Sequence, residues 1–138
     1  MKKDNYKFPQ DVYSQEYDIH IRPYLTLQDI QDIGSKMAEA EDYVQQEIIK
    51  NQGLIDACVI DGEFDGMDYD MLASCGLFKE VAYYVQNAHE LYDYVAHQKD
   101  VKNQLNKFIK EAIGYIQKVS EFKQEDVDKI VEKLKAIK

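Results

Sequence analysis

The placement of proline constrains the fold of this chain more than any other feature. Both prolines, Pro9 and Pro23, lie in the first 23 residues, and none follows them. Proline removes an amide donor and clashes with the preceding helical turn, so the sequence after Pro23 lacks the strongest helix breaker. Apolar residues recur there at intervals of three and four, as they do along a helix with one buried face. The chain is therefore predicted to be mainly α-helical.

A different pattern precedes Pro23. Residues 1–10 are polar and aperiodic and are predicted to form a flexible arm. Residues 12–21 alternate in polarity, which predicts a half-buried strand, or a small hairpin that turns at Ser14 and Gln15. A length of 138 residues favours one domain. The predicted fold is a single helical domain over residues 11–138, a bundle of about five to six helices with a small N-terminal β-hairpin or strand.

Two long helices are predicted to follow the strand. Thr26 is the expected cap of the first, with Asp29 in its first turn and an apolar stripe of Leu27, Ile30, Ile33 and Met37. The second is predicted from about residue 40 to residue 60, with Gly53 as a candidate break. Its wide buried face is predicted to contain Tyr43, Val44, Ile48, Leu54, Ile55, Cys58 and Val59.

The second half of the chain is punctuated by glycine. Residues 61–66 contain two Asp-Gly pairs and are predicted to form a loop. A short helix over residues 68–75 is expected to end at Gly76, and a further helix is predicted over residues 77–87. Residues 88–119 are predicted to form one long helix or two. The last helix, at about residues 124–138, is predicted to dock on its own domain or on a partner.

The net charge of −9 is distributed unevenly. Residues 28–100 hold sixteen acids and four lysines, whereas residues 101–138 hold nine lysines and six acids. An acidic surface repels nucleic-acid phosphate, and a single arginine, Arg22, offers little bidentate recognition of phosphate or guanine. Direct binding to a nucleic acid is therefore not expected.

The sequence gives no sign of a membrane or secreted protein. No apolar run approaches the roughly 20 residues of a membrane span, and the first residues lack the apolar core of a secretory signal. Cys58 and Cys75 lie on apolar segments without metal-ligand spacing, so both are predicted to be buried free thiols. This pattern favours a reducing, cytoplasmic compartment.

The loop of residues 61–72 begins like a calcium-binding loop. Asp61, Glu63 and Asp65 occupy its first, third and fifth positions, and Gly66 occupies the sixth. The twelfth position, which requires a bidentate glutamate, is Leu72. We therefore interpret the loop as a solvated acidic turn, with a weak adventitious cation site as the alternative.

The chain offers few groups for catalysis. His89, Asp93 and His97 are zinc-ligand types on one helix face, but a straight helix separates the first from the third by about 12 Å. Pairs of polar residues four apart are the favoured interpretation. No nucleophile elbow, Walker loop or dinucleotide-binding glycine pattern occurs. No catalytic, metal-binding or cofactor-binding residue is predicted, and an enzyme is not expected.

Tyrosine is abundant, with eleven residues and no tryptophan. Four tyrosines cluster within twelve residues, which is more than one helix can bury on one stripe. Exposed tyrosines are enriched at protein interfaces, although they can also fill a core with their hydroxyls at its edge. The predicted partner-binding residues are these four tyrosines and the apolar stripe of the last helix: Tyr83, Tyr84, Tyr92, Tyr94, Val127, Ile130, Val131, Leu134 and Ile137.

Two short motifs carry a family resemblance. Residues 17–26, YDIHIRPYLT, are a strand that runs into a proline, an aromatic-leucine pair and a capping threonine. Residues 70–77, DMLASCGL, are a short helix stopped by Gly-Leu. In this order, within a small acidic helical chain, they resemble small proteins encoded among the structural genes of tailed bacteriophages of Gram-positive bacteria. Some of those proteins resemble tail assembly chaperones.

The resemblance spans about residues 12–119 and implies a non-enzymatic assembly factor or a minor virion component. Its location is then the host bacterial cytoplasm or the virion. Its implied partners are phage tail proteins or the tape measure, a long hydrophobic helical protein, and the chain is expected to form a homo-oligomer. The charge of residues 28–100 supports an alternative hypothesis, an acidic mimic of DNA that inhibits a host defence or transcription protein.

Overall fold

The N-terminal hairpin pairs two three-residue strands. In a computed structural model, which describes residues 1–118 and 124–136, β1 (Val12–Ser14) runs antiparallel to β2 (Ile19–Ile21) with Tyr13 opposite His20. The predicted hairpin is confirmed, but its turn covers residues 15–18, so Ser14 belongs to β1. Asp18 closes the turn with a φ of 51°, and its carboxylate accepts a 2.6 Å hydrogen bond from the Tyr13 hydroxyl. The turn is thus built without glycine.

Helices dominate the rest of the described chain. They are α1 (Leu27–Glu39), α2 (Tyr43–Cys58), α3 (Tyr69–Ser74), α4 (Leu77–Tyr84), α5 (Glu90–Lys118) and α6 (Gln124–Lys135). The predicted fold class, mainly helical with a small N-terminal hairpin, is confirmed. Residues 90–118 form one continuous helix, which decides between the two alternatives left by the sequence. None of the helices in residues 1–118 and 124–136 is long and apolar enough to cross a membrane.

Side-chain caps define where three helices begin. Thr26 and Asp29 form a reciprocal capping box at the start of α1, as the sequence predicts. Asp42 caps α2 by accepting from the amide of Gln45, and Asp68 caps α3 in the same way. Gly76 separates α3 from α4 with a φ of 84°, a left-handed conformation that costs a residue with a Cβ more than it costs glycine. These local signals explain why the helix boundaries follow the sequence closely.

The chain divides into two compact units, residues 1–96 and residues 97–138. A single domain over residues 11–138 and a flexible arm over residues 1–10 stay predictions. In the arm, a single 3₁₀ turn covers Lys3–Asn5, and the Phe8 ring stacks on the Tyr24 ring with centroids 5.4 Å apart.

The core of the first unit draws on the hairpin and on all the helices up to the start of α5. Its most deeply buried side chains are Ile19, Ile21, Met37, Leu54, Leu77, Leu91, Val81 and Cys58. Backbone bonds hold the hairpin to the end of α2, because the amide of Arg22 donates to Cys58 and that of Ile60 donates to His20. The Asn87 side chain donates to and accepts from the backbone of Leu25, which fixes the entry to α1. The hairpin is therefore part of the core.

Several residues predicted to be buried lie on the surface. Leu27 is 73% exposed because it occupies the first position of α1, one residue after the cap and outside the buried stripe. Tyr43, Val44 and Ile48 are exposed because they lie in the first half of α2, whereas the buried residues of this helix, Leu54, Ile55 and Cys58, all lie in its second half. Cys75 is exposed at the end of α3. These expectations are wrong, whereas the burial of Ile30, Ile33, Met37, Leu54, Ile55 and Cys58 is confirmed.

In the second unit, the apolar stripes are only partly covered. Ile109 of α5 is buried, and Ile130, Val131 and Leu134 of α6 are half-buried. Two further members of the predicted stripe, the Val127 side chain and Ile137, lie outside the described residues.

Close helix packing makes α1 sensitive to substitution at Gly34. A Cβ there would lie 3.0 Å from Cγ of the Tyr94 ring and closer still to Cδ1, near the base of a side chain that cannot swing aside. We expect Gly34→Ala to destabilise the protein by about 1–2 kcal/mol, because overpacking outweighs the roughly 1 kcal/mol that alanine gains in a helix. Urea unfolding monitored by circular dichroism measures the change.

The matched control is Gly114→Ala in α5, where a new Cβ meets no atom within 4 Å. It should leave stability unchanged or raise it by up to about 1 kcal/mol. Equal effects at the two glycines would contradict the packing of Tyr94 on α1.

The two cysteines should differ in reactivity. Cys58 is buried and its burial raises the pKa of the thiol, whereas Cys75 is exposed. Because the thiolate is the reactive form, we expect a thiol reagent to label Cys75 in the native protein and Cys58 only after unfolding. Mass spectrometry of labelled peptides, with and without urea, reads out both sites. Native labelling of Cys58 would show that the end of α2 opens readily.

Candidate functional site

An open groove lies between α1 and α2, which form a helical hairpin. The two helices approach closely at Gly53, where a Cβ would lie 2.9 Å from Cγ1 of Ile33. Gly53 therefore allows α1 to pack closely against α2, and it does not break α2. Beside this contact the helices diverge and leave a groove of about 460 Å³ lined by Asp29, Asp32, Ile33, Lys36, Ile48, Ile49, Gln52, Gly53, Asp56 and Ala57.

The floor of the groove is apolar and continues onto an exposed part of α2. Ile33, Ile49 and Ala57 form much of the floor, and Ile48 at its edge is 40% exposed. Val44 lies one turn earlier on the same helix face and is 67% exposed. An apolar strip of this kind, open to water between two helices, has the form of a site that accepts a further helix.

The rim of the groove carries charge on both walls. Asp32 of α1 accepts a 2.8 Å hydrogen bond from Gln28, and Asp56 of α2 accepts one of 3.1 Å from Gln52. Neither carboxylate has a cationic partner among the residues that the structure describes. Asp29 differs from them, because the Arg22 guanidinium neutralises it.

A polar cluster joins the start of α5 to the first half of α2. The Tyr92 hydroxyl donates to Glu47, and the Lys50 ammonium lies 2.8 Å from Glu47 and 2.9 Å from Tyr92. Burial alone would raise the pKa of Glu47, but the hydrogen bonds from Lys50 and Tyr92 outweigh it and hold that pKa below its usual range. Burial also raises the pKa of Tyr92, and its bond to Glu47 adds to that rise.

The four predicted partner-binding tyrosines have different surroundings. Tyr83 is 80% exposed, and its ring meets that of Tyr84 edge-on with centroids 5.0 Å apart. Tyr84 and Tyr94 pack against the core, and Tyr92 belongs to the polar cluster. Tyr83 thus has the most accessible ring of the four. Partner binding by these four tyrosines stays a prediction.

The acidic loop is used partly to hold the hairpin. Asp61 accepts 2.6 Å and 2.7 Å hydrogen bonds from the backbone amide and the imidazole Nδ1 of His20. These bonds lower the pKa of the Asp61 carboxyl. Within residues 1–118 and 124–136, no group of three or more histidine, cysteine, aspartate or glutamate side chains is placed to hold a metal ion.

A second hollow, of about 500 Å³, lies beneath the N-terminal arm. Its lining includes Tyr6, Phe8 and Leu27, which are exposed, together with Tyr24 and Asn87. The arm itself forms one wall, so the shape of this hollow depends on residues 1–10. The α1–α2 groove has walls made entirely of helix, and it is therefore the better-formed candidate for binding.

Comparisons with known proteins do not add to this geometry. No family model matches the chain, and neither a curated protein nor a solved structure is significantly similar to it. The residues of the groove therefore carry the functional proposal. Of these, Ile33 and Ile48 were predicted from the sequence to be buried, and no groove was predicted. The width of the apolar face predicted for α2 was a signal that neighbouring elements would not cover all of it.

The polar cluster should make stability depend on pH in a specific way. A carboxyl whose pKa is lower in the folded state stabilises the fold above its unfolded pKa, and this stabilisation disappears as pH falls through the folded value. We expect Glu47→Gln to lose about 1–3 kcal/mol at neutral pH, because hydrogen bonds to a charged group are lost. The difference from the parent should stay constant down to about pH 5 and then shrink as pH falls further, through the lowered folded pKa of Glu47.

Urea unfolding at several pH values measures this difference. The exposed Glu63→Gln is the matched control and should show little change at any pH. A loss at Glu47→Gln that stays constant down to acid pH would contradict an ionised Glu47 as the source of the stabilisation.

Proposed function

We propose that this protein is a non-enzymatic binding factor that holds an amphipathic helix of another protein in the groove between α1 and α2. The observation that carries the proposal is the exposed apolar strip of Ile48 and Val44, which continues from the groove floor. Apolar side chains on a groove between helices gain free energy when a partner helix removes them from water.

The groove has dimensions that fit a row of side chains. A volume of about 460 Å³ is as large as many small-molecule pockets, which occupy about 300–1,000 Å³, and leaves room for apolar side chains of a partner. A helix presents anchoring side chains at intervals of three and four residues, and a groove between two helices receives such a row along its length. The fixed walls limit the ordering that binding requires.

The proposed setting is virion assembly in a bacterial host. It comes from the resemblance of residues 17–26 and 70–77 to small structural-block proteins of tailed bacteriophages. A factor that covers an apolar helix of a long client keeps that client soluble until tail subunits bind it. A net charge of −9 supports this role because like charges keep complexes apart. Tyr83 and the stripe of α6 are proposed as further contact surfaces.

Mimicry of DNA stays an alternative, but many of its carboxylates have other uses. Asp42 and Asp68 cap helices, Asp29 pairs with Arg22, and Asp61 binds His20. A mimic needs its carboxylates free and in rows, so the groove is the better-supported site.

A neutral peptide tests the proposed function. A fluorescein-labelled amphipathic helix with a leucine stripe and glutamine elsewhere should bind the protein, as measured by fluorescence anisotropy. Ile48→Lys should weaken binding about fivefold or more, because covering the exposed 40% of Ile48 contributes about 1 kcal/mol and a lysine brings a charge into its place.

Leu27→Lys is the matched control, since it places the same charge on an exposed apolar position of α1 outside the groove. It should leave the affinity close to that of the parent, and circular dichroism should show both variants folded. Absence of binding, or equal losses in the two variants, would remove the support for a helix-binding groove.

A further inference from the structure

The rim of the groove carries an acidic side chain on each wall, above the apolar floor. Asp32 stands on the α1 wall and Asp56 on the α2 wall, and each is exposed. Their only hydrogen bonds within the described residues come from neutral glutamines one turn earlier on the same helix. Each carboxylate therefore has acceptor capacity for a further donor.

Other acids near the groove are neutralised locally. Asp29 pairs with Arg22, and Glu47 on α2 pairs with Lys50. Lys36, one turn beyond Asp32, is the basic side chain of the groove lining. Among the described residues, the rim thus carries on each wall one carboxylate that forms no ion pair, and Lys36 lies on the α1 side.

The surroundings strengthen the same preference. Residues 1–96 contain nineteen acids and seven bases, a net charge of −12. A field of this sign attracts cationic partners and accelerates their association, and it repels anionic ones. A helix flanked by glutamates would be repelled both by this field and by the two rim carboxylates.

We infer that the groove selects a cationic amphipathic helix, one that carries lysine or arginine on both sides of its apolar stripe. The stripe packs on Ile33, Ile48 and Ile49, while cations on its two flanks pair with Asp32 and Asp56. The floor supplies most of the affinity, and the charges supply orientation and choice of partner. This inference rests on the proposed function, because it names the chemistry of the helix that the groove receives.

Three peptides with one leucine stripe test the inference. Their polar positions are lysine, glutamine or glutamate, and binding is measured by anisotropy at low and at moderate salt. We expect the lysine peptide to bind about fivefold tighter than the glutamine peptide, and the glutamate peptide to bind most weakly. Added salt should reduce the preference for lysine, because the charges are exposed.

Two matched double variants locate the preference. Asp32→Asn with Asp56→Asn should remove most of the preference for lysine over glutamine and preserve binding of the glutamine peptide. Glu63→Gln with Asp65→Asn removes the same number of charges from the exposed loop, and it should retain most of the preference. Equal losses in the two double variants would overturn the inference, because the attraction would then come from net charge alone.

The remaining outcomes separate the inference from the proposed function. Equal binding of the lysine and glutamine peptides would refute selection by charge and leave the groove as a helix-binding site. No binding by any peptide would refute the proposed function itself. Sedimentation of the protein alone provides a third arm: self-association that Ile48→Lys abolishes and Leu27→Lys preserves would identify a second copy as the occupant and overturn the inference.

Discussion

The first unit depends on two close approaches to α1. Ile33 packs where Gly53 of α2 has no side chain, and the Tyr94 ring of α5 packs where Gly34 has none. The missing side chains let both helices come near enough for their buried faces to interlock. Ile33 and Gly53 also line the groove, so the candidate binding site includes one of the two close contacts that pack the core.

The tyrosines stabilise the structure in several different ways. Tyr94 fills space against α1, Tyr92 completes a hydrogen-bonded cluster with Glu47 and Lys50, and Tyr13 caps the hairpin turn through Asp18. A tyrosine buries a large ring and still satisfies a polar group at the edge of the core. In a chain without tryptophan, these residues supply much of the aromatic surface that joins elements distant in sequence.

The acidic composition likewise divides between structure and surface. Carboxylates cap α1, α2 and α3, where the helix termini present unpaired amides and positive partial charge. Others pair with Arg22, Lys50 or His20 inside the first unit. The carboxylates that have none of these roles form a smaller set. This set includes Asp32 and Asp56, which stand on opposite walls of the apolar groove. The function of an acidic chain is therefore better judged from its unpaired carboxylates than from its net charge.

Features that arise from short-range interactions could be predicted from the sequence. The hairpin, the cap of α1, the acidic loop, the stop at Gly76 and the helical class all follow from neighbouring residues, because turns and caps are completed within a few positions. Which apolar faces are covered depends on long-range packing and could not be predicted in this way. Val44 and Ile48 share a helix face with Ile55, which follows Ile48 by two turns, yet the first two are exposed and Ile55 is buried. Periodicity states that a helix has an apolar face, but the supply of neighbouring elements decides whether that face meets the core or water, and on α2 that difference creates the groove.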